Sequence, residues 1–266
     1  MNTEPIKTRV GQAGWTDHRH FGMSVFNEMA GTTTTTGLIA LAATGRKMGE
    51  EDCRMLDDIA VILTVADPRI YPLKLVRLAS AYGDPLAGMA AAVAAMQGAL
   101  VGPRIAQDTA HWLKQLKEET NQTTEGIIKG FQELLKQGRL SGFGVPFRQE
   151  DERAVALKKR VTARNRHTGP YWKLQKTVSD YLKETKGIPA NVGLPIAALS
   201  LDMGLNPDTL AALYTGLTIN VFLANAVEGA EQAPQQLRCL PESTVEYIGR
   251  EPRESEVAPS LQTPLG

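Results

Sequence analysis

Arg104, Asp108 and His111 stand at i, i+4 and i+7, a spacing that puts all three on one face of a helix. A carboxylate beside an imidazole is the pair that general acid–base catalysis uses, and a neighbouring arginine would hold an anionic substrate. The competing reading, and the commoner outcome of such spacing, is a solvated charged stripe. A second set surrounds the segment Arg139-Leu140-Ser141-Gly142-Phe143-Gly144-Val145-Pro146-Phe147-Arg148, a glycine-punctuated loop between two amphipathic helical patterns. Gly142 and Gly144 admit backbone conformations closed to other residues and let a ligand approach the main chain. Arg148 there could meet a phosphate or a carboxylate, or stand in solvent. Lys158, Lys159 and Arg160 add positive charge beyond the loop, which suits a phosphate-bearing ligand or a solvated face. Near the start, His18 and His20 flank Arg19 next to Asp17. A metal needs more ligands than these supply, so no metal site is expected. His167 on a polar turn reads as solvated.

A further segment, Gly187-Ile188-Pro189-Ala190-Asn191-Val192-Gly193-Leu194, precedes an apolar run through Leu199. Taken with the Gly142-Phe143-Gly144 loop and Asp151-Glu152-Arg153, it resembles the citrate synthase superfamily, nearest its short citryl-CoA lyase-like branch. That family's pattern is a Gly-Phe-Gly-His loop leading to Asp-Pro-Arg, then an Asn-Val-Asp segment before a helix. The similarity extends from about Met48 to Gly249. It implies an all-α, two-lobed, dimeric fold, with a large helical lobe from 15–102 and 209–249 and a small helical lobe from 103–208. Ligands would bind between the lobes, and the arm from Leu237 to Gly249 would reach toward the other subunit.

The resemblance also implies a ligand class: an acyl-CoA or a carboxylate, with coenzyme A as a substrate and no tightly bound cofactor. Arg153 matches the arginine of Asp-Pro-Arg, a carboxylate clamp, with Glu152 in place of the proline. A solvated first-turn arginine is the alternative. Gly142, Phe143, Gly144 and Asn191 would face the CoA, as would Lys186, which stands where the family often uses basic side chains on the CoA phosphates. Asp67-Pro68-Arg69 falls near another histidine of the family, and reads either as a substrate contact or as a helix stop with an ion pair.

The chemistry departs from the scaffold. The family deprotonates the carbon beside a thioester carbonyl, which requires a carboxylate base and two histidines. Carried over by position, the base becomes Gly193 and the histidines become Val101 and Val145. Positioned acid–base groups contribute about 10²–10⁴-fold each, so the ordinary reaction is not expected. Two readings follow. In the first, a rewired site in the same cleft makes or breaks a C–C bond, with His111 and Asp108 as replacement catalysts and Arg104, Arg148 and Arg153 binding the anion. In the second, the chain is a pseudoenzyme that binds a metabolite or pairs with an active paralogue. The retained arginines rank the rewired enzyme first. A third reading, a purely structural role, rests only on the helical surface and the C-terminal arm.

The elements that must position these residues are written in helix punctuation. Glu50, Glu51 and Asp52 open one helix, where the macrodipole favours negative charge. Asp84-Pro85, Gly102-Pro103, Thr124-Glu125, Gly169-Pro170 and Asn206-Pro207 open others, while Gly83, Gly138 and Gly187 close them. The Thr32–Thr36 run could be a short strand or a bend. Residues 1–14 and 250–266 are expected to be disordered. No repeat and no βαβ alternation appears, so the class is all-α.

Composition bounds the rest. Formal net charge is zero, which gives no footprint for nucleic acid or anionic membranes. The two cysteines lack metal spacing and fit free thiols in a reducing compartment, and no secretory leader is visible, so a cytoplasmic protein is expected. Leu86–Val101, the most apolar run by this reading, is shorter than a bilayer span and reads as a buried helix.

Overall fold

The computed structural model describes residues 4–64, 67–98, 102–145 and 149–250. Helix makes up 64% of it and strand very little, as the all-α class requires. The chain opens with a small antiparallel sheet, β1 (Gly11–Ala13), β2 (His18–His20) and β3 (Met23–Ser24), in that order. Gly11 pairs with His20, so residues 11–13, expected within a disordered 1–14, form a strand instead. The turn between β2 and β3 is Phe21-Gly22, with φ of 48° and 83°. Left-handed backbone at a residue as large as phenylalanine costs roughly 1–3 kcal/mol and persists only when its surroundings hold it. Here the Phe21 ring lies against Gly45 and edge-on to His20. A π-helical turn, Val25–Met29, follows, closed by the Ala30 N–H donating to the Val25 carbonyl.

Among the described residues twelve α-helices come next in chain order: α1 (Thr35–Thr44), α2 (Glu50–Ile62), α3 (Tyr71–Tyr82), α4 (Pro85–Ala95), α5 (Arg104–Glu119) and α6 (Thr124–Gln137). Then follow α7 (Glu152–Ala163), α8 (Pro170–Lys186), α9 (Gly193–Asp202), α10 (Leu210–Thr218), α11 (Leu223–Glu231) and the single turn α12 (Ala233–Gln236). The threonine run is neither strand nor bend: Thr34 caps α1, its hydroxyl accepting from the Gly37 N–H. Asp84 caps α4 on the Ala87 N–H and Thr123 caps α6 on the Gly126 N–H, as the punctuation anticipates. Asn206 caps only a 3₁₀ turn, Pro207–Thr209, and a second 3₁₀ turn, Ile219–Phe222, separates α10 from α11. The helical run Pro207–Glu231 has the length of a membrane span and contains an 18-residue window of mean hydropathy 1.6. Its first half buries Leu210, Leu213, Tyr214 and Leu217 in the protein core.

Apolar packing forms two bodies. α9 is the axis of the larger, buried along its whole length from Gly193 to Leu201 and flanked by α5 and α8. This core also takes in α1, α2 and α10. A satellite joins α3, α4 and α11 through Leu73, Val76, Ala92, Phe222 and Ala226. Within it Arg77, 5% exposed, donates to Asn225 at 3.0 Å and also to Glu228 and Gln232. The basic end of α7 docks on acidic residues of α2. Arg160 on α7 and Arg164 just past its end both bond Asp58 on α2, and Arg166 pairs with Asp52 at 2.6 Å.

Candidate functional site

The two glycine-bearing segments meet. Phe143 and Ala190 form an isolated antiparallel bridge, and the Gly144 N–H donates to the Pro189 carbonyl at 2.8 Å. Asn191 closes the junction. Its N–H donates to the Gly142 carbonyl, its side-chain amide to the Phe143 and Gly144 carbonyls, and its Oδ1 accepts from the Gly193 N–H at 2.9 Å. Gly142 makes this approach possible: it sits at φ 96°, and a Cβ there would lie 3.0 Å from Thr109 Oγ1. Thr109 is fully buried, and its hydroxyl has no hydrogen-bond partner among the described residues.

Asp151 ties the third motif to the same place. Its carboxylate, 1% exposed, accepts from the Arg153 backbone N–H and Nε through Oδ1, and from Arg153 Nη2 and the Val192 N–H through Oδ2. Burial alone would push this carboxyl up, but the Arg153 fork and charge, with the two backbone N–H groups, hold it below the usual carboxylate range. Asp151 therefore bridges the start of α7 to the start of α9. Arg153, the expected carboxylate clamp, has one edge of its guanidinium committed to its own chain, and its side chain is 36% exposed.

At Gly193, the position that the resemblance assigns to the base, the backbone leaves no room. Gly193 is buried, and a Cβ there would stand 2.6 Å from Ile105 Cγ2 and 3.0 Å from Asn191 Oδ1. Ile105, on the first turn of α5, fills the volume into which a side chain at 193 would grow. Val145 is half-buried at the loop's exit. Val101 and Arg148 lie outside the described residues.

The remaining candidates scatter. Arg104, Asp108 and His111 do share a face of α5, and that face is exposed. His111 there meets Asp208 of the first 3₁₀ turn, Nε2 to Oδ1 at 3.1 Å, with both side chains half or more exposed. Asp67 and Arg69 are bound to each other at 2.6 Å, and the hydrogen bonds from Arg69 hold the Asp67 carboxyl down at about 2. Phe143 does not face a ligand: it is 7% exposed and stacks on Trp112 at 6.0 Å within a cluster that includes Phe131. Lys186 ends α8 in solvent. Of the five residues expected to face CoA, Lys186 and Gly144 offer surface, while Asn191 uses its polar atoms on the loops.

Residues 75–237, more than half of the chain, match the family described as Citrate synthase, C-terminal domain. The chain belongs to the citrate synthase family. Its fold is shared with citryl-CoA lyase from Hydrogenobacter thermophilus at a TM-score of 0.77 and 21% identity, over 95% of this chain and 98% of that one. ATP citrate lyase from Methanothrix soehngenii, solved with citrate and coenzyme A, superposes at 0.68 and 15% identity, over 97% of this chain and 44% of that one. Citrate synthase from Thermotoga maritima follows at 0.60 and 20%, over 79% and 56%. At these identities the likeness is one of fold. No curated protein matches the sequence. Within the citrate synthase family, then, this chain keeps the scaffold that brings the three motif segments together. Sequence reasoning missed Ile105 and Asp208 at the site, because a side chain's effect on a neighbour nearly a hundred positions away has no local pattern.

Proposed function

We propose that this citrate synthase-like protein binds an acyl-CoA or carboxylate ligand without the family's proton abstraction, which reverses the order in which the sequence ranks the two readings. The observation that carries this is the contact between Gly193 and Ile105. Any side chain at 193 would meet Ile105 at its first carbon, so the position that the resemblance assigns to the base is closed to an acid–base group. The exposed edge of Arg153, Gly144 and Lys186 remain as places for an anionic ligand. Relatives of the same fold support the ligand class: one is a citryl-CoA lyase and another was solved with citrate and coenzyme A.

Thermal denaturation with CoA, acetyl-CoA, longer acyl-CoAs, citrate, malate and oxaloacetate tests it. A ligand at a hundred times its dissociation constant adds about 2.7 kcal/mol. A stabilisation with one of these, lost in Arg153→Ala and accompanied by no thioester turnover, is the expected result. Turnover by the purified protein would sink the reading.

The rewired enzyme stays second because of one observation: His111 has a carboxylate partner in Asp208, the arrangement that orients an imidazole as a base. On that reading any turnover disappears in His111→Gln, and its persistence there would dismiss His111. A homodimer and a cytoplasmic location belong to the same proposal. Free Cys53 and Cys239 are consistent with a reducing compartment. The outer face of α3 and α4 exposes Leu75, Leu78, Tyr82, Leu86 and Val93, an apolar surface suited to a second copy.

A further inference from the structure

The His18-Arg19-His20 segment, which the citrate synthase motifs do not use, forms one wall of an open cavity of about 730 Å³ between the N-terminal sheet and α1. That volume lies within the usual range for small-molecule sites, about 300–1,000 Å³. None of its lining residues belongs to α5 through α9, so it is separate from the Gly193–Arg153 region. Its opposite side is apolar: Val25, Met29 and Ala30 from the π-helical turn, and Leu38 and Ala42 from α1. Gln12, Thr33, Thr34 and Thr35 add neutral polar groups, and no carboxylate lines it. The carboxylates of Asp17 and Glu28, next to the lining segments in sequence, accept from backbone N–H groups, Asp17 from Phe26 and Glu28 from Ser24.

Three features show that this wall is held in place. The His18 ring packs edge-on to Phe26 at 5.2 Å, and the His20 ring edge-on to Phe21 at 4.9 Å. Phe21 itself sits in left-handed backbone, a conformation a bulky side chain keeps only where the fold requires it. The facing wall is a π-helical turn, a rare element found frequently at functional sites. Two imidazoles and Arg19, one Nη of which donates to the Gly22 carbonyl at 2.9 Å, stand beside an apolar recess.

We infer that this cavity is a second binding site, for an amphipathic anion: a carboxylate or phosphate head at His18, Arg19 and His20 with an apolar body against Met29, Leu38 and Ala42. Calorimetric titration of the full chain with octanoate, octyl phosphate, octanol and inorganic phosphate tests it and separates the two head groups. One of the two amphiphilic anions should bind one per chain, about ten-fold or more tighter than octanol and than phosphate alone. The double variant His18→Ala/His20→Ala should weaken it by about ten-fold or more, and Ala42→Trp, which fills the recess, should abolish it. Both variants lie outside the buried core, and unchanged melting curves will confirm that they fold. Equal binding of octanol would reduce the site to an apolar groove and overturn the proposal. So would absence of binding, or binding indifferent to both variants. A change in molecular mass with Ala42→Trp, without a ligand effect, would assign the cavity to a second copy of the chain and overturn it equally.

Discussion

At the scale of single residues, the site is governed by what Gly193 excludes. Adding a methyl group at 193 overpacks Ile105, and such insertions cost about 1–3 kcal/mol. Gly193→Ala should therefore lower stability by that amount in urea denaturation. In an Ile105→Ala background most of that penalty should vanish, because contacting residues couple and distant ones add. Additive penalties would show that something other than Ile105 fills the space. Asp151→Ala is expected to be costlier, about 3–5 kcal/mol, since it leaves Arg153 without its buried partner and the Val192 N–H without an acceptor. Asn191, expected to face CoA, and Phe143 were legible as a motif but not in their roles. The motif names residue types that must lie together, and the same types serve equally to close two loops and to fill a core. Arg153 was legible as well, but not its pairing with Asp151, because a carboxylate two positions away gives no sign of turning back toward it.

At the scale of elements, α2 and α7 are joined by charge. Burial would raise the Asp58 carboxyl, but hydrogen bonds and charge from Arg164 and Arg160 hold it below its ordinary 3.8. Asp151 shifts in the same direction. Both carboxyls bind protons less tightly folded than unfolded, so stability rises with pH across their window. Their contribution should be complete above about pH 5 and be lost as pH falls through the ordinary value toward the lowered ones. Asp58→Asn should cost about 1.5–3 kcal/mol at neutral pH and flatten this acid limb in pH-dependent melts. Asp202 opposes the trend: burial raises its carboxyl although it accepts from the Tyr171 and Trp172 N–H groups. Helix starts were the most legible part of the sequence, since Asp84, Thr123 and Pro170 act locally. The sheet, the π-helical turn and the interruption of Pro207–Glu231 were not, because short strands lack periodicity and the last is a tertiary accommodation of an apolar run.

At the scale of the whole molecule, the all-α citrate synthase architecture was readable from three motif segments, whereas the grouping of helices into a core and a satellite was not. The exposed face of α3 and α4 carries the remaining prediction. Light scattering after gel filtration should give twice the chain mass, and Leu78→Glu/Leu86→Glu should return a monomer that keeps its helical circular dichroism. A monomeric wild type at micromolar concentration would rule out that face as a stable interface. The satellite also sets a timetable for synthesis. Arg77 on α3 finds its partners 148 to 155 positions later, on and beyond α11. At about 5–20 residues per second, the ribosome needs roughly seven to thirty seconds to deliver them. Through that interval the nascent α3–α4 pair stands incomplete, with a guanidinium awaiting its acceptors and apolar flanks open to holdase chaperones. The last stretch of translation, more than any local turn, decides when this part of the polypeptide matures.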